Sequence, residues 1–301
     1  MRRFELDRPP LLSRSPLNRA EELRKDTEAL RAGWPTANVL QIDQRGRLRV
    51  DESGLVYVPA AEVAAEPALD AVFLGIEGGR HLWAQRVGVL AGELGDLRTT
   101  GDRLSEVELS ILTSALAILN WHASASFSAL DGAATTPTAA GWSRTSTSNG
   151  HEEFPRTDPA VICLVHDGAD RILLARAPSW PERRFSVLAG FVEAGESLET
   201  CVLREIKEEV GITVSDITYL GSQPWPFPRS VMIGFSAVAD PEVPLQFLDG
   251  EIAEAHWFSR DEVRGALALG DWASDADARL LLPGSISIAR GMLEAWAAVD
   301  R

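Results

Sequence analysis

Three glutamates on one short segment constrain this 301-residue chain more than anything else in it. In GFVEAGESLETCVLREIKEEVGI, Gly190 to Ile212, the acids Glu205, Glu208 and Glu209 stand with Arg204 beside them and a glycine near each end. At ~100° per residue, a helix places these three carboxylates within an arc of roughly 100°. Like charges packed so closely repel unless a cation sits among them. An all-oxygen donor set suits a hard ion such as Mg²⁺ or Mn²⁺, which commonly holds phosphate oxygens as well. Val202, Leu203, Ile206 and Val210 supply an adjoining apolar face, so the helix can bury one side and present the acids along its edge. Ser197 is placed to cap its start and Gly211 to stop it. A solvated acidic face would explain neither the glycines nor the spacing.

Composition sets the remaining bounds. With 45% hydrophobic and 24% charged residues, the chain reads as a soluble globular protein long enough for two cored domains. No apolar run approaches the ~20 residues that span a bilayer. The basic start, MRRFELDRPPLLSRS, lacks an apolar segment of secretory length, which makes the cytoplasm the expected location. A net charge of −15 argues against a broad nucleic-acid track and against anionic membranes. An anionic substrate therefore has to be drawn in locally, by a metal or a few arginines. The two cysteines, Cys163 and Cys201, cannot build a disulfide framework or a four-cysteine zinc site, and buried reduced thiols are expected.

The chain divides into an N-terminal α+β domain over 1–120, a connector over 121–155 and a C-terminal domain over 156–301. In the first, AEELRKDTEALRAGW predicts a helix up to Gly33, followed by short strands at NVLQID, RLRVD, LVYVP, AVFLGIE and HLWAQRVG. SEVELSILTSALAILNWH then carries apolar residues at helical spacing. The Ala-, Ser-, Thr- and Gly-rich stretch 123–150 reads as a linker or irregular loop. Beyond it, PAVICLVHD and DRILLARA predict two strands joined by a tight turn, and RFSVLAGFV a third running into Gly190. Further strands at ITYLGSQ, SVMIGFSAVA and EAHWFS, with helices near Arg260–Leu269 and Ser287–Ala297, predict an α/β sandwich.

Just past the acidic helix lies SQPWPFPRS, Ser222 to Ser230. Its three prolines remove backbone donors, so a stiff loop rather than a central strand is expected, displaying Trp225 and Phe227 with Gln223 and Ser230 as polar contacts. Rigid aromatic and amide groups suit a flat heterocycle bearing a carboxamide; the alternative is a packed proline-rich loop.

The spacing of Gly190, Glu196, Arg204, Glu205, Ile206, Glu208, Glu209, Gly211 and Ile212 resembles the Nudix box at every specified position. The proline motif after it resembles the one that marks NADH pyrophosphatases of the NudC type, except that Arg229 stands where that family usually has Gln. FPRTDPAVI, EIAEAHWF and SIAR extend the likeness over the C-terminal half. The resemblance implies a C-terminal Nudix α/β/α sandwich behind the α+β domain and a metal-dependent diphosphatase splitting NADH or NAD⁺ into nicotinamide mononucleotide and AMP, with RNA bearing a 5′ NAD cap as a further substrate. It implies Glu205 and Glu209 as metal ligands, Glu208 as ligand or water-activating base, Glu251 and the Ala189 carbonyl as further ligands, and Mg²⁺ or Mn²⁺ as the ion. It assigns substrate contacts to Phe154, Phe191, Gln223, Pro224, Trp225, Pro226, Phe227, Pro228, Arg229, Ser230, Met232, Ala289 and Arg98. For Phe154 and Phe191 the alternative is an ordinary core aromatic, and for Arg98 a plain surface arginine. The family's zinc ribbon falls in the connector, where Ser128, Asp131, Ser146 and Asn149 occupy the matching places; oxygen groups hold structural Zn²⁺ poorly, so a ribbon-like connector lacking cysteines and zinc is expected. A homodimer is implied as well. Two other readings stay open: a preference for another dinucleotide such as ADP-ribose, and a non-catalytic NAD(H)-binding scaffold.

Overall fold

The computed structural model describes residues 4–247, 250–274 and 277–299, so Arg2 and Arg3 of the basic start lie outside the described residues. The chain forms two compact units. The N-terminal unit comprises Arg14–Thr157 and Pro224–Ser230; the C-terminal unit takes in the described parts of Met1–Ser13, Asp158–Gln223 and Val231–Arg301. These divisions differ from 1–120, 121–155 and 156–301. The connector groups with the N-terminal unit, and two short segments, one at the chain start and one from the proline motif, belong to the unit opposite their sequence neighbours.

In the N-terminal unit, the region expected to be one helix up to Gly33 is a 3-10 turn over Glu21–Leu23 followed by helix α1, Thr27–Gly33. Asp26 breaks it. Its carboxylate accepts from the Ala29 amide at 2.9 Å, the N-cap geometry that short acidic side chains favour over a helix interior. Strands β1 (Asn38–Asp43), β2 (Leu48–Asp51), β3 (Gly54–Leu55), β4 (Val58–Pro59), β5 (Val72–Glu77), β6 (Arg80–Val87) and β7 (Leu94–Gly95) form one sheet, with β1 and β6 parallel and the other pairs antiparallel. Helices α2 (Ala60–Val63) and α3 (Leu97–Thr100) are short. Helix α4, Glu106–Ser124, packs on β5 and β6 and starts at a capping box in which Ser105 and Glu108 satisfy each other's amides. Trp34 and Trp83 meet edge to face in the core, ring centroids 5.3 Å apart.

The stretch 123–150 is not an irregular linker. Strands β8 (Thr135–Thr138), β9 (Ser143–Ser146) and β10 (Glu152–Glu153) form a small antiparallel sheet in register Thr135↔Ser146 and Glu152↔Thr145. Threonine is small and polar like a linker residue, yet β-branched like a strand residue, and here the second property prevails. Buried Arg144 donates to the Thr135 hydroxyl at 2.7 Å and its carbonyl at 2.9 Å. The hairpin gathers the four ribbon positions around one carboxylate. Asp131 accepts from Ser146 at 3.2 Å, from Asn149 at 2.7 Å and from Ser148, while the Ser128 hydroxyl accepts from the Leu130 amide at 3.2 Å.

The C-terminal unit is a three-layer sandwich. Strands β11 (Asp158–His166), β12 (Arg171–Arg176), β13 (Leu188–Phe191), β14 (Ser215–Trp225), β15 (Ser230–Val238) and β16 (Glu254–Ser259) make a sheet ordered β14-β15-β11-β12-β16, with β13 on β11. Alternation along β11 decides the layers. Val161, Cys163 and Val165 face Cys201, Val202, Ile206 and Val210 of helix α5, Leu198–Val210. Ile162 and Leu164 face Val263 of α6 (Arg260–Ala268) and Met292, Leu293 and Trp296 of α7 (Ile288–Ala298). Both cysteines are buried free thiols, as expected. The proline segment also departs from expectation: β14 continues through Pro224 to Trp225, and only 226–229 form the turn. β14 is a sheet edge, where a proline is tolerated.

Gly211 ends α5 with φ of 77°, and a Cβ there would lie 2.7 Å from Cβ of Gln246. Gly211→Ala should therefore lower unfolding free energy by about 1–3 kcal/mol, read from the urea midpoint. An unchanged midpoint would show that this helix end is not held in the left-handed conformation.

Candidate active site

The acids reach their positions through the packing of α5. The Ser197 hydroxyl accepts from the Thr200 amide at 3.2 Å and sets the first turn. With Val202, Ile206 and Val210 locked against β11, the next face around the helix carries Glu205, Glu208 and Glu209. Their depths differ: Glu209 is buried at 4% exposure, Glu205 is partly buried, and Glu208 is exposed. Gly190 on β13 makes this arrangement sterically feasible. A Cβ there would fall 1.9 Å from the Glu205 carboxyl carbon. The box glycine is therefore the space that the Glu205 carboxylate occupies.

Arg204 ties the loop to the helix. Its guanidinium meets Glu196 at 2.6 and 3.1 Å, Glu205 at 2.8 Å and Glu208 at 2.9 Å, and donates to the Phe191 carbonyl at 2.9 Å. Glu196 also accepts from the Glu193 amide at 2.8 Å. Those bonds, Arg204 foremost, hold the Glu196 carboxyl down to about 2. The same contacts raise the guanidinium well above its ordinary value. Arg204 thus joins Glu196 of the loop to Glu205 and Glu208, two of the acids expected to serve as metal ligands.

Burial pushes the Glu205 carboxyl up, Arg204 draws it back, and the nearby charges of Glu208 and Glu251 raise it again. Glu251 thus acts on the same acid although it lies far along the chain. Burial, and then the charge of Glu209, raise the Cys163 thiol. A partly buried carboxylate crowded by other carboxylates is a setting that a divalent cation relieves, and the donors are all hard oxygens. The donor chemistry suits such an ion, although no three acids among the described residues are gathered at metal-binding distance and Arg204 engages Glu205 and Glu208. Ala189, exposed and paired with Ile162 across β13 and β11, stands one residue before the Gly190 recess.

The expected substrate residues sort into three groups. Phe191 and Phe154 are 59% and 64% exposed, so neither is an ordinary core aromatic. A second group, Arg98, Trp225, Pro226, Phe227, Pro228 and Arg229, comes together within the N-terminal unit. Arg98 lies over the Phe227 ring at 3.8 Å and the Trp225 ring at 5.2 Å, and Arg229 donates to the Ser124 hydroxyl at 3.2 Å. Other members are set inward. Gln223 is 1% exposed and donates to the Ile286 carbonyl at 3.1 Å, Ser230 is buried, Met232 packs on the core under α7, and Ala289 is itself core. Ala289 therefore offers no side-chain surface in this conformation. Sequence reasoning missed Asn120 and Arg86. Asn120 donates to the Pro226 carbonyl at 3.0 Å and the Pro228 carbonyl at 2.8 Å, and accepts from Arg86 at 2.5 Å. The available signal was one amide in the last turns of an otherwise apolar helix, ALAILNWH.

Two family profiles match the chain: a NUDIX domain over residues 156–280 and an NADH pyrophosphatase-like rudimentary NUDIX domain over 20–121. Proteins named NAD-capped RNA hydrolase NudC from Mycobacterium bovis and Mycobacterium tuberculosis are 57% identical to it over 305 residues, covering 99% of this chain and 97% of theirs. The mitochondrial NAD(P)H pyrophosphatase NUDT13 of Mus musculus is 41% identical over 69% of this chain and 60% of its own length. With both halves matched and full-length relatives at that identity, the chain belongs to the NudC-type branch of the Nudix hydrolase family.

Proposed function

We propose that the protein hydrolyses the diphosphate of NADH and NAD⁺ to nicotinamide mononucleotide and AMP, and that it removes the same group from RNA bearing a 5′ NAD cap. One observation carries the reading: Glu205 sits in the recess left by Gly190, under the charges of Glu208 and Glu251, with Glu209 buried on the next turn. The names of the mycobacterial relatives and of NUDT13 support the substrate class.

A divalent ion, Mg²⁺ or Mn²⁺, would neutralise the diphosphate and acidify a bound water. Glu205 and Glu209, the more deeply set acids, are the residues to hold it, with Glu251 and the Ala189 carbonyl as further donors. Glu208 is exposed and tethered by Arg204, which suits a carboxylate that takes the proton of the attacking water. Phe191 and Phe154 offer ring faces to the nicotinamide, and Arg98 with Trp225 and Phe227 form the receiving surface of the loop. Zinc has no part in this reading: Ser128, Asp131, Ser146 and Asn149 are engaged in the hydrogen bonding of the connector hairpin. A cytoplasmic homodimer completes the proposal, on the family resemblance.

Gly190→Ala should push the Glu205 carboxylate out of its recess and weaken Mn²⁺ binding by roughly tenfold or more in titration calorimetry, with little change in the urea midpoint. Unaltered binding would remove Glu205 from the ligand set. Phe191→Ala should lower kcat/KM for NADH by roughly 5- to 100-fold, the worth of one stacked ring, while ADP-ribose turnover stays near wild type. Equal losses on both, with products resolved chromatographically, would favour a different preferred dinucleotide.

A further inference from the structure

The loop at 226–229 has an unusual backbone problem. Pro224, Pro226 and Pro228 bring no N–H, so the loop has few amides with which to close its own turn. Its carbonyls are instead collected from outside by a single side chain. Both donated bonds of the Asn120 amide go to this loop, at 3.0 Å to the Pro226 carbonyl and 2.8 Å to the Pro228 carbonyl. The amide is itself oriented. Arg86 donates one guanidinium nitrogen to the Asn120 oxygen at 2.5 Å and another to the Asp43 carbonyl at 2.6 Å. Asp43 is fixed in turn, because its carboxylate accepts from the Arg45 and Arg47 amides at 2.9 and 2.8 Å and from the Arg47 side chain at 2.8 Å. A chain of directed contacts therefore runs from the β1–β2 turn through β6 and α4 to the loop. Arg98, on the aromatic side, rests over Phe227.

We infer that Asn120 is a positioning residue for substrate: it sets the height and tilt of the loop that carries Trp225 and Phe227, and Arg86 fixes which way its amide points. The inference rests on the functional reading above, in which this loop receives the dinucleotide. Two features separate this role from packing. Asn120 is only half-buried, and its bonds go to loop backbone rather than to core. Its polarity matters as much as its shape. The substitution Asn120→Asp would preserve the outline and the Arg86 bond, but would turn a carboxylate oxygen toward two carbonyls.

The test compares wild type, Asn120→Asp and Asn120→Ser with NADH and Mg²⁺, alongside hydrogen exchange of the 225–230 amides. Asn120→Asp should raise KM roughly tenfold with kcat within about threefold, speed exchange at Trp225, Phe227 and Arg229, and leave the urea midpoint near the wild-type value. Asn120→Ser, which deletes the bonds without adding charge, should show a smaller KM rise and carries the comparison if the aspartate variant does not fold. Unchanged KM and exchange would overturn the inference, as would losses in kcat that track a fall in the urea midpoint. Wild-type protein inert toward NADH would instead defeat the functional reading. Exchange alone would then decide the clamp, faster in the variant if it exists and unchanged if it does not.

Discussion

Arg204 is the cation around which the acidic end of the site is assembled. Without it, Glu196, Glu205 and Glu208 would face one another as bare charges on adjoining turns of loop and helix. With it, the loop after Gly190 is pinned to α5 through two bonds to Glu196, and the Phe191 carbonyl is held beside the same guanidinium. Its four contacts are not equivalent. Glu208 is about half exposed, and an exposed ion pair contributes only about 0–1 kcal/mol, little enough for an incoming ligand to displace. Glu196 is shielded at 11% exposure and doubly bonded, so it stays with Arg204. One side of the guanidinium thus serves architecture and the other serves acids whose partner can change.

The same division between fixed and adjustable recurs in the N-terminal unit. There the proline-rich loop has few amides of its own, and the Asp43–Arg86–Asn120 chain brings donors to its Pro226 and Pro228 carbonyls. Arg98 adds a charged plane against the aromatic rings, where burial lowers its guanidinium from the ordinary value. The loop is thus held both from a neighbouring helix and by the packing of Trp225, Phe227 and Arg98 on one another.

Much of this was legible in the sequence because spacing encodes it. The helical period places Glu205, Glu208 and Glu209 on one side, and alternation along β11 divides Val161 and Cys163 from Ile162 and Leu164. Ser197 and Gly211 mark the ends of α5 by their own chemistry. Other features depend on partners far away in the chain. Asp26 breaks a helix that its neighbours' composition favours, and Thr135–Thr138 becomes a strand only because Ser143–Ser146 pairs with it. Asn120 acquires a role through a loop more than a hundred residues later, which no local pattern can announce. Gln223 lies inside because its amide reaches the Ile286 carbonyl, and Ala289 because it stands on the core-facing side of α7, packing outcomes that motif matching does not contain.

The central claim is that α5 holds a divalent ion through its carboxylates so that a diphosphate can be cleaved beside it. Crystals soaked in Mn²⁺ and measured near the manganese absorption edge test this most directly. The account predicts an anomalous peak among the oxygens of Glu205, Glu208 and Glu209, next to the Gly190 recess. A peak elsewhere, or none with Arg204 still bonded to Glu205 and Glu208 at saturating Mn²⁺, would contradict it.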